Sequence, residues 1–180
     1  MLQRVAMVIL ILNAGVAVSV GIAFQQASLA PTVNPETSTV AQQSLAIIVN
    51  RSNPVDDVSF EELRKIFLGE RSHWSNGRRI TLVMIEAGRP ERAAMLRELY
   101  RMNETDFSRH FLHGLFTGQV LVSPKTLSTP VGVCKFVFNV PGAIGYVRAS
   151  DVDDFVRVIR IDGRLPESKD YSLRIPPKVR

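Results

Sequence analysis

The spacing of apolar and polar positions divides the chain into an apolar leader and a region of short, punctuated elements. From Val5 to Phe24 every position is apolar except Asn13 and Ser19. Beyond Ser44 the apolar runs shorten and turn residues bound them. Leu45-Ala-Ile-Ile-Val49 is a continuous apolar run of strand length, which predicts a buried strand. Ser59 with Glu62 forms a capping box, and Phe60, Leu63, Ile66 and Phe67 recur at helical spacing up to a stop at Gly69. Ile80–Ile85 is the next predicted strand. Pro90 then suits a first helical position, predicting a helix over Arg92–Met102. Asn103–Asp106 restarts a third helix, with Phe107, Phe111, Leu112 and Leu115 expected inward and Gly118 as its end. Ser128-Thr129-Pro130 opens a fourth helix, running to Asn139. Strands follow over Ala143–Val147 and Val156–Ile161. Strands alternating with helices predict an α/β domain, a three-layer-like sandwich with a mostly parallel sheet.

The flanks complete the organisation. Arg4, the apolar run and the small residues Ser28 and Ala30 have the order of a secretory signal. The run is long for one, and Pro31 is a poor residue for signal peptidase, so an uncleaved anchor of about 20 apolar residues is the other reading of positions 1–30. Both place the remaining chain in the periplasm, with membrane contact only through the N-terminal segment. Residues 31–43 (PTVNPETSTVAQQ) are polar and aperiodic, a linker. Residues 44–163 make one domain with a modest core, and 164–180 a polar, proline-containing tail.

Composition narrows the function. The net charge is +5, spread along the chain without aromatic clustering, which fits mild anion preference and argues against nucleic acid as a partner. Cys134 is the single cysteine and cannot form an internal disulfide. Between Val133 and Phe136 it reads as a small buried hydrophobe. No nucleophile elbow, Walker loop or His-Glu-x-x-His motif is present, and Asp153-Asp154 read as solvated, so an enzyme is not expected. No cofactor is expected either. His110 and His113 share a helix face, but a third metal ligand is not evident.

Four stretches are more specific. Ile47-Ile-Val-Asn50 with Asn53-Pro54, then Leu63-Arg-Lys-Ile-Phe-Leu-Gly69, Trp74-Ser-Asn-Gly77 and Pro141-Gly-Ala-Ile-Gly-Tyr-Val147 occur in that order. Together they resemble the substrate-binding proteins of phosphate ABC transporters, over residues 45 to about 163. The resemblance implies one lobe of a type 2 periplasmic binding protein. In that family two lobes close on the ligand, and the motifs here belong to the second lobe. A single lobe offers half a cleft, which a second subunit or an envelope protein would complete. The alternative is a ligand-free protein-interaction module of the envelope, built on the same lobe.

In phosphate-binding relatives the loop after the second-lobe strand carries an Arg and a Ser-Gly-Thr-like run at a helix start. The corresponding segment here is Ile85-Glu-Ala-Gly-Arg-Pro-Glu91. Gly88, Arg89 and Arg92 are therefore the candidate residues for phosphate or another small anion. The hydroxyls are missing, Pro90 removes a backbone donor, and Glu86 and Glu91 add negative charge nearby. The expectation is a weakened site, with Arg89 paired to one of those acids or solvated.

Overall fold

The computed structural model describes residues 43–175. The predicted signal or anchor over 1–30, and all of the linker except Gln43, lie outside the described residues. Among the described residues no helix is long and apolar enough to cross a membrane.

Strand β1 (Leu45–Asn50) is buried along its whole length, as its unbroken apolar run requires. A two-residue strand β2 (Asp57–Val58) precedes helix α1 (Phe60–Phe67). The Ser59 hydroxyl accepts from the Glu62 amide and caps α1. Strand β3 (Thr81–Ile85) leads to helix α2 (Pro90–Met95), which continues as a π-helical turn over Leu96–Tyr100. Helix α3 (Glu104–Thr117) is capped by Asn103 and ends at Gly118. Strand β4 (Lys125–Leu127), helix α4 (Pro130–Asn139), strand β5 (Ala143–Arg148) and strands β6 (Val156–Val158) and β7 (Arg160–Ile161) follow.

The main sheet has the order β4-β3-β5-β1-β6, and β2 pairs with β7 in a separate two-stranded ribbon. Strand β3 runs parallel to β4 and β5, while β1 is antiparallel to both β5 and β6. Four of the five strands therefore point one way and β1 alone is reversed. Adjacent positions of β5 show the layering. A Cβ on Gly145 would meet Val133 of α4, whereas the Tyr146 ring packs against Phe67 of α1. Helices thus cover both faces of a mostly parallel sheet, the three-layer α/β arrangement read from the sequence.

The quoted motifs have structural reasons. Asn50 donates from its side chain to the carbonyls of Val137 and Phe138, filling acceptors that the end of α4 leaves open. Trp74 is buried and its Nε1 donates to the Gly142 carbonyl at 3.0 Å. Gly142 lies so close to the neighbouring chain that a Cβ there would stand 2.0 Å from the Arg79 oxygen.

Several elements depart from the sequence reading. Residues 164–175, read as a polar tail, belong to the fold. Tyr171, Leu173 and Ile175 are buried, and the Leu45 amide donates to the Leu173 carbonyl. The polar residues between them hid a short apolar series at alternate positions. The single strand predicted over Val156–Ile161 is two, because the chain makes its last bond to β1 from the Ile159 amide and joins β2 at Arg160. On α3, Phe107 and Phe111 face inward but Leu112 and Leu115 are exposed, at 63% and 49%. The buried line runs through Phe107, Phe111 and Gly114, where Val120 folds back onto the helix, so Leu112 and Leu115 fall on the outer side.

Candidate functional site

The carboxyl ends of the parallel strands are where open α/β sheets bind ligands. Here that edge gathers three pieces of chain. The Glu86–Arg89 loop leaves β3, Arg148 ends β5, and the antiparallel β1 begins beside it, with Leu45 opposite Arg148. Between them and the α2–π turn lies an open groove of about 1010 Å³. Gly88, Arg89 and Arg92, the sequence-derived candidates, all line it, so the structure brings the three together.

Their circumstances differ. Gly88 takes the left-handed conformation (φ +86°) that turns the chain from β3 into α2. Arg89 precedes Pro90 at the start of α2 and is exposed, and among the described residues it forms no ion pair or side-chain hydrogen bond. Arg92 is buried in the groove wall, 5% exposed. Its Nη2 lies 2.6 Å from Glu104 Oε1, its Nε donates to Glu104 Oε2, and its guanidinium carbon stands 4.2 Å from the Phe107 ring centroid. Nη1 points at Met84 Sδ and the Ile85 carbonyl. The donors of Arg92 are thus used inside the wall.

Glu91, one of the two acids flanking Arg89, pairs elsewhere. It is buried and its Oε1 accepts from Arg148 Nε, while Oε2 is buried with no hydrogen-bond donor among the described residues. Glu86 is exposed. Among the described residues neither acid pairs with Arg89.

Two further guanidiniums on the groove were missed from sequence, those of Arg97 and Arg148. A signal for Arg97 existed, since Arg89, Ala93, Leu96 and Arg97 follow i, i+4, i+7, i+8 spacing and share a helix face. None existed for Arg148, which arrives from a strand 57 residues beyond Glu91. Arg97 also pairs with Glu98 at 2.6 Å. Apolar residues complete the groove, Leu96 and Met102 on the helical side and Ile175 on the other.

Behind the wall Tyr146 lies within the influence of Arg92. Burial pushes its hydroxyl well above the usual tyrosine value, and the Arg92 charge acts in the opposite direction. Away from the groove, His110 is half-buried and bonds the Leu68 carbonyl through Nε2, and His113 is exposed. Among the described residues no group of three or more His, Cys, Asp or Glu assembles to hold a metal.

A mostly parallel sheet with helices on both faces, one reversed strand and a groove at the strand ends define one lobe of the type 2 periplasmic-binding-protein architecture. No family model matches the chain. Its sequence is 31% identical over 138 residues to the phosphate-binding protein PstS of Bacillus subtilis (strain 168), covering 74% of this chain and 41% of that protein. Among solved structures it is similar to an ABC-type phosphate transport receptor from Vibrio cholerae (TM-score 0.57, 21% identity, 69% of this chain and 48% of that one). It is similar also to PstS from Borrelia burgdorferi (TM-score 0.56, 15% identity, 74% and 55%). The chain is similar to the substrate-binding proteins of phosphate ABC transporters, over the extent of a single lobe. It spans about two-fifths of the length of the curated relative that it matches.

Proposed function

We propose that the protein is an exported, non-catalytic binding protein that holds phosphate or another small anion weakly in the groove beside Arg89. The observation that carries this reading is the exposed Arg89 guanidinium, without a side-chain partner among the described residues, at a concave site on the strand ends. A free guanidinium is a bidentate donor for phosphate and carboxylate oxygens. The relationship to a phosphate-binding protein supports the ligand class. Pro90 and the absence of Ser, Thr or Tyr from the groove lining among the described residues account for weakness, because few neutral donors remain there to replace the water of a desolvated anion. The groove is open and would bury the anion on one side only, so a second subunit or an envelope partner would raise affinity by closing it. The signal-like order of residues 1–30 supports a periplasmic location.

Calorimetric titration of the full chain with inorganic phosphate, beside Arg89→Ala, tests this. Heat and thermal stabilisation in the parent that are lost in the variant support it. Silence in both proteins, or equal binding by both, overturns it.

A further inference from the structure

Resting on that reading, we infer that the groove is built for an organic phosphate carrying an apolar body, in preference to the bare ion. Three observations converge on this.

The first is size. The groove of about 1010 Å³ lies at the upper end of small-molecule sites. Inorganic phosphate occupies only the space of a few waters, at roughly 30 Å³ each.

The second is the spacing of positive charge. Arg89 stands at the N-terminal end of α2 and Arg97 in the π-helical turn that follows it, eight residues further along the groove wall. The third rim guanidinium, Arg148, is drawn toward Glu91. These cations come from separate stretches of the groove wall. They suit a ligand whose anionic group meets Arg89 and whose body extends along the helix.

The third is what lies between them. Leu96, Met102 and Ile175 offer carbon, not donors, to whatever occupies the groove. A bare phosphate cannot recover its hydration from such a surface, whereas an apolar body is stabilised by covering it. The π-helical turn that begins at Leu96 contributes here, since it is the element that carries Leu96 and Arg97 at the groove.

The test is a competition series on the full chain, with inorganic phosphate, a monomeric alkyl phosphate and vesicles containing phosphatidate. The alkyl ester binds at least about tenfold tighter than phosphate, the gain from burying roughly two methylene groups. Arg89→Ala weakens both ligands. Met102→Gln, a change of similar volume at a half-buried position, erases the preference for the ester over phosphate. Binding of the free ester assigns a soluble organophosphate, and binding confined to the vesicles assigns a lipid headgroup. Either supports the inference. Equal affinity for phosphate and ester overturns it while leaving anion binding intact, and absence of binding to all three overturns both readings.

Discussion

Arg92 and Glu104 join the start of α2 to the start of α3 through two hydrogen bonds, the shorter 2.6 Å, with the Phe107 ring against the guanidinium. Arg92 is buried whereas the Glu104 side chain keeps 44% of its exposure. Removing the cation therefore leaves an acid that can turn to water, and the loss is smaller than for a fully buried pair. Arg92→Ala is expected to cost about 2 kcal/mol, below the 3–5 of fully buried pairs, read as a lower urea midpoint. Arg89→Ala, on an exposed side chain with no partner among the described residues, leaves that midpoint unchanged. An unchanged midpoint in Arg92→Ala would mean that Arg92 is available for ligand and is not part of the wall.

Two glycines separate close approach from backbone conformation. A Cβ on Gly142 would sit 2.0 Å from the Arg79 carbonyl oxygen, and the Gly142 carbonyl itself accepts from Trp74. Gly142→Ala must push β5 away from the Trp74 turn, at a cost of about 3 kcal/mol. Gly88 has open space around it but a φ of +86°. Gly88→Ala meets no atom and costs only the left-handed strain, about 1 kcal/mol. Thermal melts of the two variants should therefore differ clearly, and equal losses would show that the Arg79–Gly142 contact can relax.

Much of this fold is written locally. Ser59, Asn103 and Thr129 accept from amides three residues on, as N-caps do, and Gly69 and Gly118 take positive φ where the helices stop. Such signals depend on neighbours in sequence, so the helix starts and stops could be read. Strand β4 could not, because its three residues carry no apolar pattern and form a strand only beside β3. The outward turn of Leu112 and Leu115 likewise depends on Val120 returning to Gly114, a contact that helical periodicity does not encode. The groove divides in the same way. Gly88 and Arg89 stand in a loop–helix junction visible in the sequence, while the partner that withdraws Glu91 comes from a distant strand.

Cys134 is 1% exposed on α4. Burial pushes its thiol up to about 11, with the charges of Asp153 and Asp151 acting in the same direction. The thiolate is the reactive form, so little of it exists at neutral pH and what exists is covered. The native protein should be inert to a disulfide reagent at pH 8, and labelling should follow the urea unfolding curve. Rapid labelling of the folded protein would mean that α4 opens locally.

The three tyrosines of the chain, Tyr100, Tyr146 and Tyr171, are all buried, and burial is the first cause raising each hydroxyl above its usual value. Tyr100 donates to the Phe67 carbonyl at 2.9 Å, a bond that a phenolate could not make. An unfolded tyrosine releases its proton near pH 10. Above that pH the unfolded chain binds fewer protons than the native one, so the slope of unfolding free energy against pH is negative. The contribution of the three rings is fully present below about pH 10 and is lost as the pH climbs through the raised native values. Because no exposed tyrosine exists to titrate first, tyrosinate absorbance should stay absent on alkaline titration until the fold fails. It should then appear for all three rings in one step, coincident with loss of helical circular dichroism. A tyrosinate signal growing ahead of that loss would show at least one ring in contact with solvent in the native state.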